Sequence, residues 1–187
     1  APSPAAGEYG IETLAIHAGA SPEPVTGARN TPIYQTTSYV FEDVEHAADL
    51  FNLQTFGFIY SRLTNPTVAV LEERMAALEG GRAAVCAASG HAVQFLAFFT
   101  LLEPGDEFIS SLNLYGGSIT QFGLSFKRLG WTCHFVDPTD PENFQKALTP
   151  KCKAIFIEVL ANPGGIVLDV EPIVAIAREA GIPLIVD

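Results

Sequence analysis

Several short stretches of this chain place chemically useful side chains at sharp turns. Ser89-Gly90, within "AASGHAVQ", follows an apolar run and opens a helical pattern. Free backbone N–H groups and the positive end of a helix dipole make such a junction a site for an anion, phosphate above all. The same dipeptide also serves as a plain N-cap. Tyr115, within "LYGGS", precedes Gly116-Gly117, whose missing side chains would let backbone come close to a flat ligand on which the phenol ring stacks. A rim Tyr packed on its own loop is the alternative. Glu158 and Asn162 lie in "EVLANPGG", and Asp187 ends "GIPLIVD". A carboxylate there either pairs with a protonated ring nitrogen or caps a following helix.

These groups need elements to aim them. Val68, Leu71, Met75 and Leu78 recur at three- and four-residue spacing, which predicts a helix over 67–79 ended by Gly80-Gly81. "RAAVCAA" (82–88) predicts a buried strand, and 89–102 a helix stopped by Pro104-Gly105. Strands are expected at 106–111, 131–136, 153–159 and 182–187. Helices are expected over 116–130, 141–148 and 170–180. Strands alternate with helices, and several strands are apolar on both faces. This predicts an α/β fold of three layers, a mostly parallel sheet flanked by helices. Ligands in such sheets gather just past the carboxyl ends of strands, where Ser89, Tyr115, Glu158, Asn162 and Asp187 fall. Residues 1–59 differ, being rich in Pro, Gly, Thr and Ser with helix-like pieces only near 11–17 and 43–53. They read as an extended arm that makes inter-subunit contacts, leaving 60–187 as the first part of the sheet domain.

Composition narrows the function classes. Acids outnumber bases 21 to 10, a formal charge of −11, which disfavours binding to nucleic acid or to anionic membranes. The apolar fraction of 48% and the 13 phenylalanines suffice for a substantial core. No apolar run approaches membrane-spanning length, and the start lacks the basic stretch and apolar core of a signal peptide. Cys86, Cys133 and Cys152 are widely spaced, with no metal-ligand pattern; Cys86 and Cys133 read as core thiols. So sparse a cysteine count suits a reducing cytoplasm. Neither a dinucleotide fingerprint nor a P-loop is present.

A phosphate cradle, a stacking Tyr and a terminal Asp together fit an aromatic cofactor with a phosphate arm and a basic ring nitrogen, as in pyridoxal 5′-phosphate. "YSRLTNPT", "ASGHAVQ", "LYGGS", "EVLANPGG" and "PLIVD", in that order, also resemble the motifs of the Cys/Met-metabolism enzymes, fold-type-I proteins dependent on that cofactor. The resemblance runs from about Thr13 to the last residue. It implies that Ser89, Gly90 and His91 lie at the cofactor phosphate, mainly through backbone N–H groups. Tyr60 and Arg62 would reach the phosphate of a neighbouring subunit, so that the active unit is a homodimer, commonly paired into a homotetramer. Tyr115 would stack on the ring and take part in proton transfer, and Asn162 would lie near the ring hydroxyl. Glu158 would support its loop. Asp187 would pair with the ring nitrogen and strengthen the electron sink. The alternative for Arg62 is a surface residue at a helix start, and His17 reads as structural.

Within the family, "FNLQTFGFIYSRLTNPT" and "ANPGGIVLDVE" most resemble the sulfhydrylase branch. That implies γ-replacement on O-acetyl-L-homoserine by sulfide or a thiol, giving homocysteine or methionine plus acetate. Phe58, where a polar residue is frequent, and Ser118, where Thr is common, depart from the branch pattern. The alternatives are a γ-lyase or cystathionine γ-synthase of the same family, or a non-catalytic cofactor-binding or assembly fragment. None of Lys127, Lys146, Lys151 and Lys153 falls at a strand's carboxyl end. By resemblance, the lysine that holds the cofactor covalently and the arginine that grips the substrate carboxylate lie beyond Asp187. The chain therefore reads as the leading part of a longer enzyme, expected to be inactive alone.

Overall fold

The computed structural model describes residues 9–187, which divide into two compact units, the first reaching to Cys86 and the second running Ala87–Asp187. The first unit contains three helices, α1 (Ile11–His17), α2 (Val44–Phe51) and α3 (Pro66–Leu78). Pro66 starts α3 where its missing N–H is harmless, and Asn65 caps it, Oδ1 accepting the Thr67 N–H at 2.9 Å. The buried Asn65 amide also donates to Tyr34 O, Tyr39 Oη and Ser61 Oγ, at 2.9–3.2 Å. One side chain thereby ties the helix start to the extended segment before it.

The second unit is a sheet packed on both faces. Its strands are β1 (Glu107–Ser111), β2 (Thr132–Val136), β3 (Cys152–Ile157) and β4 (Leu184–Val186), all parallel, in the order β2-β1-β3-β4. Successive strand residues face opposite sides, and the core divides accordingly. Phe108 and Phe156 join Phe98, Phe122, Phe126 and Trp131 on one face, against α4 (Gly90–Leu101). Ile109, Ile155 and Ile157 join Phe144 and Ile173 on the other, against α6 (Glu142–Ala147) and α7 (Glu171–Ala180). These strands read as apolar throughout because both their faces are buried. The three-layer expectation is met.

Two expectations are corrected. The helix expected over 116–130 is in fact α5 (Gly116–Thr120), a π-helical turn (Gln121–Ser125) and a 3-10 turn (Phe126–Leu129), closed by Gly130 at φ +84°. The wide turn delivers Phe122 and Phe126, both fully buried, onto Phe98 at 5.3 and 5.4 Å between ring centroids. The strand expected over 82–88 does not form: the segment pairs with no strand among the described residues, and Val85 is exposed. An apolar run becomes a strand only beside a free hydrogen-bonding edge. Cys86 is accordingly exposed rather than a core thiol, whereas Cys133 packs against the aromatic core. Burial pushes the Cys133 thiol far above its usual pKa, so it stays protonated. Among the described residues no helix is long and apolar enough to cross a membrane.

Candidate active site

Two acidic residues, Glu158 and Asp187, are backbone neighbours where β3 and β4 end. The Asp187 N–H donates to Ile157 O at 2.9 Å and the Val159 N–H to Asp187 O at 3.0 Å, so the ladder fixes both backbones. Glu158 is buried, 7% exposed, and its carboxylate has no ion pair among the described residues. It is satisfied by backbone instead: Oε1 accepts the Tyr115 N–H at 2.7 Å and Oε2 the Asn162 N–H at 3.3 Å. Bonds of this charge-assisted kind contribute about 1.5–3 kcal/mol each. Glu158 thus pins two separate loops, those bearing Tyr115 and Asn162, to the end of β3. The second loop turns through a cis Asn162–Pro163 bond and returns by a bridge between Leu160 and Val167.

The start of α4 forms another wall. Ser89 caps it in extended conformation, Oγ accepting the Ala92 N–H at 3.2 Å. The amides of Gly90 and His91, in the first turn, have no acceptor within their helix. A side chain added at Gly90 would meet nothing within 4 Å, so the approach to these amides is open. The His91 and Tyr115 rings lie tilted by 32° with centroids 5.8 Å apart. Gly117 makes that arrangement possible, since a Cβ there would sit 2.5 Å from His91 Cε1 and 2.6 Å from Tyr115 Cε1. The expectation that both glycines admit a ligand is therefore corrected for Gly117. Its bareness accommodates two rings of the protein itself.

Ser89, Gly90, His91, Tyr115, Asn162 and Asp187 line one open cavity of about 570 Å³, with Glu158 in its wall. Four parts of the chain converge there. Sequence reasoning missed Gln94, also in that wall and 7% exposed. Its Nε2 donates to Ser118 Oγ at 3.0 Å and to Asp187 Oδ2 at 3.4 Å, while its Oε1 is buried without a partner. The available signal was an amide inside "HAVQFLAFF", one helical turn after Gly90 on the same face. Tyr60 and Arg62 belong to the first unit. Tyr60 forms an antiparallel bridge with Ser38, and the Arg62 guanidinium lies 5.2 Å from the Tyr60 ring centroid, a cation–π contact. None of the four lysines lines the cavity; Lys146 pairs with Asp140 and Glu142 on a surface helix.

A doubly covered parallel sheet with an anion-ready helix start, an aromatic wall and an acid at a strand tip defines an α/β enzyme built for a phosphorylated heterocycle. More particularly, the chain belongs to the Cys/Met metabolism PLP-dependent enzyme family, whose model matches residues 12–187. It is 50% identical over 176 residues to an O-acetyl-L-homoserine sulfhydrylase of Leptospira meyeri, covering 94% of this chain and 40% of that protein. An O-acetyl-L-homoserine sulfhydrylase of Thermus thermophilus is 52% identical, with 95% of this chain and 42% of that protein covered. Among solved structures, a Campylobacter jejuni protein assigned as an O-acetylhomoserine (thiol)-lyase superposes with a TM-score of 0.92 at 39% identity. That match covers 96% of this chain and 44% of the other, which carries a pyridoxyl-lysine monophosphate. The chain thus spans about two fifths of the length of these relatives.

Proposed function

We propose that the protein catalyses γ-replacement on O-acetyl-L-homoserine, exchanging acetate for sulfide or a thiol to give homocysteine or methionine. The observation that carries this reading is the convergence of the α4 start, Tyr115 and Asp187 on a single cavity. The donor set fits pyridoxal 5′-phosphate: unpaired amides for a phosphate, a ring to stack on, and a carboxylate for a basic nitrogen. When bound, this cofactor supplies a sink for negative charge developing on the substrate's carbon atoms.

Each residue then has its own task. The Gly90 and His91 amides hold the phosphate, with Ser89 fixing the turn that presents them. Tyr115 packs its ring against the cofactor plane, and its phenol moves a proton near the substrate. Asn162 donates to the ring hydroxyl. Asp187 keeps a proton on the ring nitrogen by pairing with it, a preorganised charge of the kind that lowers barriers in water-poor sites. Tyr60 and Arg62 reach the phosphate bound by a second subunit, making the active unit a homodimer and the assembly a homotetramer. The arm expected over 1–59, whose residues 1–8 lie outside the described residues, supports this contact, and 60–187 form the first part of the cofactor domain. None of the four lysines lines the cavity, so none of them serves as the covalent anchor here, and the cytoplasm is the compartment.

The test uses the full-length protein loaded with pyridoxal 5′-phosphate. O-acetylhomoserine plus sulfide should yield homocysteine and acetate, with far slower turnover of cystathionine alone. Borohydride should fix the cofactor to a lysine. Rapid turnover of cystathionine with no sulfide-dependent homocysteine would replace this reading by elimination, and no fixed cofactor would replace it by a binding role.

A further inference from the structure

Gln94 stands out in the cavity wall because its amide is arranged at the expense of its own oxygen. Asp187 accepts hydrogen bonds and, as a carboxylate, cannot donate one, so the group that faces it must be Nε2. That single NH2 reaches both Ser118 Oγ and Asp187 Oδ2, at 3.0 and 3.4 Å. Turning the amide over would let Oε1 accept from the Ser118 hydroxyl, but would set two acceptors against each other at Asp187. The orientation adopted leaves Oε1 buried and unpartnered. A residue present only to fill space gains nothing from that arrangement, which an apolar side chain of equal length would avoid. Ser118 is itself 1% exposed and anchors the amide from the far side. The ladder holds the backbone of Asp187, through its N–H to Ile157 O and its carbonyl to the Val159 N–H, and leaves its side chain to be placed by other groups.

We infer that Gln94, braced by Ser118, is a positioning residue that holds one oxygen of the Asp187 carboxylate and so leaves the other, Oδ1, aimed at the ring nitrogen of the cofactor. The inference rests on the proposed pairing of Asp187 with that nitrogen. It adds that the pairing depends on a helix-borne amide, 93 residues away in sequence. A freed Asp187 side chain would sample other rotamers, weakening the ion pair without removing it.

The experiment compares full-length holoenzymes carrying Gln94→Leu, Gln94→Met, Asp187→Asn and the Gln94→Leu/Asp187→Asn pair. Loss of one supporting hydrogen bond, felt in the transition state, is expected to lower kcat by up to about tenfold. KM for the amino-acid substrate should stay within about twofold, since substrate contacts are untouched. The visible absorption spectrum of the bound cofactor should change in the same direction as in Asp187→Asn, and by less. In the Asp187→Asn background Gln94→Leu should have no further effect, because it acts through that carboxylate. Gln94→Met keeps the unbranched shape and serves where Leu disturbs folding. If Asp187→Asn alters spectrum and kcat but folded Gln94 variants match the wild type in both, the positioning role is overturned and the cofactor reading stands. Equal losses from Gln94→Leu with and without Asp187 would overturn it too, marking a packing role. If Asp187→Asn changes neither quantity, the ring-nitrogen reading falls and takes this inference with it.

Discussion

The two compact units are built on different principles. In the second, five fully buried phenylalanines (Phe98, Phe108, Phe122, Phe126 and Phe156) meet at centroid distances of 4.2–6.1 Å, from helix, π turn and strands alike. The first unit buries Leu14, Ala18 and Leu50, and leaves Ile33, Val40, Leu53 and Phe56 almost wholly exposed. Its order comes from directional bonds, Asn65 above all, and not from a core of its own. So much apolar surface on a segment held by hydrogen bonds is what the proposed inter-subunit arm would need. The sheet unit holds the candidate site on a densely packed core, and the two designs should respond to mutation in opposite ways.

The sharpest contrast is the same substitution made twice. Phe98→Ala should destabilise the full-length protein by about 3–5 kcal/mol, as for other large core deletions, read by chemical denaturation. Phe56→Ala, at a fully exposed ring, should change the stability of an isolated subunit by less than about 0.5 kcal/mol. Under the proposed assembly it should still weaken subunit association, measured by sedimentation. Equal effects on subunit stability would erase the distinction between the units.

Next in size is Gly117→Ala. The added Cβ would strike the His91 and Tyr115 rings, and forced overpacking of this kind costs about 1–3 kcal/mol. Since the displaced rings line the cavity, affinity for pyridoxal 5′-phosphate should fall with stability, as followed by cofactor fluorescence titration. Gly116→Ala, where a Cβ meets nothing within 4 Å, is the control. Asn65→Ala should cost about 2 kcal/mol, by removing a helix cap and leaving partners unpaired. Its loss should appear as faster hydrogen exchange at the start of α3 with the sheet unit unaffected.

What the sequence made legible follows the same division. The sheet unit announced itself because its strands are apolar on both faces and its helices end at Gly or Pro, signals that are local. The failures lie where the deciding partner is distant. "RAAVCAA" has the composition of a strand, but pairing requires a neighbour, which composition does not report. The residues over 116–130 have helical periodicity, and a single π turn shifts register too little for spacing alone to reveal it. Most of the residues expected at the site do converge, because strand tips in a parallel sheet share one edge. Gln94 escaped notice because its meaning depends on Ser118 and Asp187, which lie 24 and 93 residues away.

The smallest expected effect concerns the opposite end of the same sheet. Glu107 begins β1, and its Oε2 lies 2.8 Å from His134 Nε2 on β2 and accepts the Thr149 hydroxyl at 2.8 Å, just before β3. The bond from His134, then that from Thr149, holds the Glu107 carboxyl below its usual pKa. A folded value below the unfolded one means that the unfolded chain takes up this proton more readily, so the pairing stabilises the fold only while Glu107 is ionised. The contribution is complete above the ordinary glutamate range, about pH 4.3, and is lost as the pH drops through the lowered folded value. Glu107→Gln should therefore be less stable than wild type at neutral pH, with the gap closing on acidification below that range. Denaturant midpoints taken between neutral and strongly acid pH measure it, and a gap that persisted unchanged into strong acid would show that the carboxylate does not tie these three segments together. Because Glu107 lies at the amino ends of the strands, the variant should leave cofactor binding at their carboxyl ends intact. That separates the frame from the chemistry within one unit, as Phe98 and Phe56 separate the two units from each other.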